Sequence, residues 1–182
     1  GSPNPPAPLN VERVFPQLEF TKPVDFMRQP GSDRWVVLEE GGKLVSFRPS
    51  AGVTNTDLVL DCREFRSSAR PLGFTFHPGF ATNRFLFVFA NGPNKLQTNS
   101  AGVVLGGTNK FNRILRYTVT PEGNANPASE YEIIKWWSNG HNGGEMAFGL
   151  DGMLYITSGD GTSDSDGNNS GQDISDLNSG VL

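Results

Sequence analysis

Residues 35–47 read Trp35-Val36-Val37-Leu38-Glu39-Glu40-Gly41-Gly42-Lys43-Leu44-Val45-Ser46-Phe47. Two short runs rich in Val, Leu and aromatic residues, Trp35–Glu39 and Lys43–Phe47, flank a Gly-Gly pair. That pattern predicts a β-hairpin, because glycine reaches the positive φ values that a tight turn demands. Downstream the pattern repeats at Leu58–Asp61, Phe74–His77, Phe85–Phe89, Arg113–Val119, Tyr131–Trp137 and Met153–Ser158, with a turn expected at Pro78-Gly79. Upstream, strands are expected from Val11 onward. No window keeps apolar residues at i, i+3, i+4 and i+7, so helices should be scarce, and only Ile174–Leu177 suggests a helical turn. Short strands at this density imply a sandwich, a barrel or a propeller. A faint internal echo favours the propeller: Gly42-Lys43-Leu44-Val45-Ser46 and Gly152-Met153-Leu154-Tyr155-Ile156 each set a glycine before an alternating strand.

Composition agrees. The 182 residues include 22 Gly, 13 Pro and 13 Phe, a mixture of turn-formers and aromatics that suits an all-β domain. No apolar stretch reaches the ~18 residues of a membrane-spanning helix. A net charge of −4 gives no basic footprint, which argues against nucleic acid as a partner. Cys62 is the single cysteine, so there is neither a disulfide framework nor a thiolate metal cluster, and it reads as a small buried hydrophobe. Gly1-Ser2 reads as a tag remnant, and residues 1–10, including the Pro-rich 3–8, as an extended lead-in to a domain over 11–182.

The stretch from His141 to Leu182 carries the chemistry. His141-Asn142-Gly143-Gly144, Phe148-Gly149, Asp151-Gly152, Leu154-Tyr155-Ile156, Gly159-Asp160-Gly161 and Gly171-Gln172-Asp173 occur in that order, and Leu72-Gly73-Phe74-Thr75-Phe76-His77-Pro78-Gly79-Phe80 stands upstream. This ordered set resembles the N-terminal part of the glucose/sorbosone dehydrogenase family, soluble sugar dehydrogenases that use pyrroloquinoline quinone (PQQ). The resemblance implies a six-bladed β-propeller with PQQ and calcium on its top face, acting in the periplasm or outside the cell. It implies that His141 is the general base and that Asn142, Gly143 and Gly144 adjoin the cofactor. Such a base suits the reaction, since imidazole titrates near neutral pH and the quinone performs the redox step. Taken by itself, His141 reads as a polar loop histidine.

The sequence departs from the family pattern at three places. Gly140 stands where the family has Asp, Glu145 where it has Arg, and Ser67-Ser68-Ala69-Arg70-Pro71 lacks a Gln that lines the sugar site. The expected substrate is therefore a sugar or polyol, with glucose itself disfavoured. Two other readings stay open. One is a non-catalytic propeller that binds protein or carbohydrate, as in the Hedgehog-interacting branch of the fold; the other is a calcium-dependent lactonase-type propeller. His77 reads as a structural hydrogen-bonding residue. Of the adjacent Trp136 and Trp137, one should face the core and the other the opposite side. Asp160, Asp164 and Asp166 lie in a loop without basic residues and form a candidate calcium site, although the loop only partly matches EF-hand spacing. Finally, at roughly 40–50 residues per blade the chain supplies about three blades. It is expected to self-associate, or to need a second chain, to complete the ring.

Overall fold

A computed structural model describes residues 9–64, 70–92, 110–162 and 165–182. Asp164, Ser67–Ala69 and the Pro-rich 3–8 lie outside the described residues.

Three antiparallel sheets follow one another along the chain. The first runs β1 (Pro23–Arg28), β2 (Trp35–Glu39), β3 (Lys43–Phe47), β4 (Asp57–Asp61). The second runs β5 (Arg70–Phe76), β6 (Phe85–Gly92), β7 (Phe111–Thr118), β8 (Tyr131–Trp137). The third orders β9 (Gly143–Phe148), β10 (Leu154–Ser158) and β11 (Gly180–Val181) with β10 in the middle. The first strands stand side by side, β1 against β5 and β5 against β9, as the inner strands of successive propeller blades do. The Asp25 carboxylate on β1 accepts from the Phe74 N–H on β5 at 3.2 Å, tying two of these inner strands together.

The expected hairpin forms, with Trp35 paired to Phe47 and Leu38 to Leu44. Gly42 turns it at φ 102°, and its N–H donates to the Glu39 carbonyl. The apolar run of β6 is continuous because both faces of its sheet are covered. Leu86 and Val88 join Val36, Leu38, Leu60, Phe74 and Leu115 in the core between the first two sheets. Phe87 and Phe89 point the other way, into the core shared with Trp136, Met146 and Ile156. Trp137, next along β8, is exposed as the alternation requires. Cys62 is buried, and desolvation, reinforced by the Asp61 and Glu130 charges, pushes its thiol up to about 12.

Three expectations need correction. Strands begin at Pro23, not near Val11: Phe15, Leu18 and Phe20 instead pack as irregular chain on Val37, Val45 and Phe47, and Pro16 has no N–H for a ladder. The Pro78-Gly79 turn leads into a one-turn helix, α1 (Phe80–Asn83). Ile174–Leu177 is a non-helical turn, and the short 3-10 turn falls at Ser170–Gln172.

Candidate active site

His141 sits in the loop that joins β8 to β9, and Asp160 in the loop that leaves β10. His141 Nδ1 lies 3.1 Å from Asp160 Oδ1, and the side chains are 48% and 19% exposed. The Asp160 carboxyl is held down at about 2 by the Thr162 backbone N–H, helped by the Thr162 hydroxyl, by His141 and by the Asp166 N–H. An ionised carboxylate can only accept, so Nδ1 carries the hydrogen and Nε2 is left with its lone pair in the neutral ring. Among the described residues nothing bonds Nε2. The pair thus presents an oriented, half-exposed imidazole, an arrangement suited to removing a proton.

His141 adopts φ 37°, a left-handed conformation uncommon outside glycine. Its loop is clamped on both sides. The Asn139 N–H donates to the Gly161 carbonyl at 2.8 Å, and a Cβ on Gly159 would lie 1.8 Å from the His141 carbonyl oxygen. Toward the second sheet, Asn142 Oδ1 accepts from Asn91 Nδ2 at 3.0 Å and from the Ser138 hydroxyl at 2.6 Å. The glycines after it meet protein backbone: a Cβ on Gly143 would stand 2.4 Å from the Thr157 carbonyl oxygen, and one on Gly73 2.1 Å from that of Gly144.

Asp160 and Asp166 come together, but their oxygens are already engaged. Asp160 accepts from Thr162 and Asp166, while Asp166 Oδ1 accepts from Ser170 N at 2.7 Å and Oδ2 from Gly171 N at 3.0 Å. Among the described residues no group of three or more His, Cys, Asp and Glu could hold a metal. Calcium takes several oxygen ligands, and these two carboxylates, already holding backbone donors, supply only part of such a set.

Asp25, which the sequence did not single out, and Glu145, noted there only for standing in place of an Arg, complete the inner edge. Asp25 on β1 and Glu145 on β9 are both held above the ordinary carboxylate range, each chiefly by desolvation, and Asp25 adds charge repulsion on Glu145. No described Arg or Lys forms an ion pair with Asp25, Glu145 or Asp160. PQQ carries three carboxylates, and these residues do not supply the cations that would grip such an anion. His77, the other histidine, accepts the Gly79 N–H at Nδ1 (2.9 Å) beside Asn83 and closes the turn before α1.

Three consecutive meanders with adjoining inner strands define part of a β-propeller, and the comparisons specify which kind. The PQQ-bound aldose sugar dehydrogenase of Streptomyces coelicolor superposes with a TM-score of 0.66 at 18% identity, over 98% of this chain and 49% of that one. The apo-form soluble aldose sugar dehydrogenase of Escherichia coli gives 0.61 at 17% identity, over 95% and 46%. The chain therefore has the fold of about half of such a dehydrogenase propeller. No protein-family model matches it. In sequence it is similar to the Hedgehog-interacting protein of Homo sapiens, 26% identical over 178 residues, which take in 87% of this chain and 24% of that protein. The Mus musculus protein is 27% identical over 163 residues, or 84% and 22%. The chain spans about a quarter of the length of these curated relatives.

Proposed function

We propose that the chain is the base-bearing part of a quinoprotein dehydrogenase that oxidises a sugar or polyol hydroxyl. The observation that carries this reading is the His141–Asp160 contact at 3.1 Å with Nε2 left open. Asp160 fixes the tautomer, and His141 Nε2 takes the substrate hydroxyl proton as hydride leaves the same carbon. When bound, PQQ would accept that hydride. Gly143 is exposed beside His141, whereas Gly144 is buried and the Asn142 carbonyl groups face the second sheet. The cofactor edge is therefore assigned to the Gly143 backbone, with Asn142 and Gly144 supporting it from behind. The arginines and lysines that would grip the quinone are assigned to further blades, supplied by more chain, a second copy or a second polypeptide. No helix among the described residues is long and apolar enough to cross a membrane. We assign the protein to the periplasm or the cell exterior, where dehydrogenases of this kind act.

A second reading, a non-catalytic binding propeller, is supported by the similarity to Hedgehog-interacting protein and by the carboxylates of Asp25 and Glu145, with which no described Arg or Lys forms an ion pair. Absorbance titration with PQQ and calcium in a ring-complete protein, followed by dye reduction with a panel of sugars and polyols, separates the two. Quinone binding with turnover supports the dehydrogenase; no quinone binding leaves the binding module.

A further inference from the structure

We propose that Asn112 is a positioning residue for His141, acting through a buried polar network with Asn91, Ser138 and Asn142. The proposal rests on the reading of the His141–Asp160 pair as the working base.

Asn91 ends the apolar run of β6, and Asn112 lies directly opposite it on β7, in register with Trp136 on β8. Asn91 is 7% exposed, Asn112 0% and Ser138 0%. Three polar side chains at such depth oppose folding unless every group finds a partner, and apolar residues in their place would avoid that penalty. Here the partners are one another and the loop. Asn91 Nδ2 donates to Asn112 Oδ1 and to Asn142 Oδ1, both at 3.0 Å. Asn112 Nδ2 donates to the Asn142 carbonyl at 3.1 Å. Ser138 Oγ lies 2.6 Å from Asn142 Oδ1 and 3.0 Å from the Gly140 carbonyl oxygen, both within reach of its one hydrogen. Asn142 is thereby held by its side chain and its main chain at once.

His141 is the residue between these anchors. Its left-handed conformation is disfavoured for an L-residue and persists only where the surroundings impose it. The network imposes it from the second sheet, while Gly159 and Gly161 hold the loop from the third. Released from Asn112, the 138–142 loop would relax to an ordinary φ at His141, and the ring would swing away from Asp160. A cluster that merely filled the core would have no reason to engage Asn142 at both its amide and its carbonyl.

The test reads the neutral imidazole tautomers by 15N NMR in the 182-residue chain. The two histidines serve as probe and control, since His77 Nδ1 is an acceptor and its hydrogen must sit on Nε2. In the parent chain His141 is expected to show Nδ1–H. In Asn112→Leu that resonance should be lost in favour of Nε2–H, the form that free imidazole prefers, with His77 unchanged. If Asn112→Leu loses the His77 signature through unfolding, Ser138→Ala, which removes one hydroxyl, decides by the same criterion. A folded variant that retains Nδ1–H at His141 overturns the proposal. A parent chain without it overturns the His141–Asp160 reading as well, so the two failures are distinguishable.

Discussion

At the scale of single residues, the proposed chemistry rests on which atom of His141 carries its hydrogen. In a ring-complete protein, His141→Ala should lower turnover by about two to four orders of magnitude, the usual contribution of a general base. Asp160→Asn should lower it by up to about 10⁴-fold through loss of the correct tautomer. Steady-state rates with quinone in excess check both, and turnover within about tenfold of the parent for His141→Ala would remove it from the mechanism. Glu145 makes a separate prediction. Its folded pKa lies above the ordinary value of 4.5, so the native state holds that proton more tightly than the unfolded chain does. Stability from this group is therefore present at low pH and is lost as pH rises through the window above 4.5. Glu145→Gln should raise Tm at pH 7, and the difference should vanish at about pH 3, well below 4.5, where Glu is protonated in both states. A Tm gap that does not change with pH would contradict it. Cys62 should resist alkylation in the native state at pH 8, because a thiol pushed up to about 12 supplies almost no thiolate, and it should react once the chain is denatured. Rapid labelling of folded protein would be the contrary result. His141 was singled out in the sequence through the resemblance that His-Asn-Gly-Gly carries. Asp25 was not, because its place beside Glu145 comes from two strands far apart in the chain.

At the scale of elements, alternation and turn chemistry made most strands readable. Tyr131–Trp137 and both arms of the Gly42 hairpin fall where the pattern put them: the hairpin arms bury most of their side chains and turn at glycine, and Tyr131–Trp137 buries Trp136. β9 escaped because it opens with Gly143 and Gly144, at φ 77° and 132°, which read as turn. They belong to a strand because β5 and β10 approach too closely for side chains. Gly73→Ala tests that crowding: its Cβ would meet the Gly144 carbonyl oxygen at 2.1 Å, backbone against backbone. The expected loss is about 1–3 kcal/mol, as for overpacking. Gly52→Ala, with nothing within 4 Å and no positive φ, should be nearly neutral in the same denaturant titration. Equal stability of the two variants would contradict close packing of the inner strands. β1 opens at Pro23 and alternates between core and open face, with Met27 packed inward and Phe26 63% exposed.

At the scale of the whole molecule, the middle sheet differs from its neighbours. It is covered on both sides, while the first and third sheets each present one open face. On the first, Val24 and Phe26 are 50% and 63% exposed, and Phe26 stacks on Trp35 at 5.3 Å. With Phe15, Phe20 and Phe47 they line an apolar groove of about 630 Å³. On the third, Tyr155 and Val181 are 44% and 68% exposed. In the fold this chain shares, each sheet packs on the next around a ring, and the solved dehydrogenase propellers are about twice its length. Further sheets are therefore expected to cover both faces, because apolar area left in water forfeits about 25 cal/mol for each Å². Placed alone in solution, the 182-residue chain should self-associate through these faces. Sedimentation velocity should show species larger than the 19.7 kDa monomer, and Phe26→Asp should shift the distribution toward it by placing charge in the contact. The same chain should not oxidise sugar when PQQ is supplied, since its described residues bring a base without the cations that grip a tricarboxylate. A compact monomer that turns over sugar would overturn both expectations at once: three sheets would then suffice as a stable body and as a complete site.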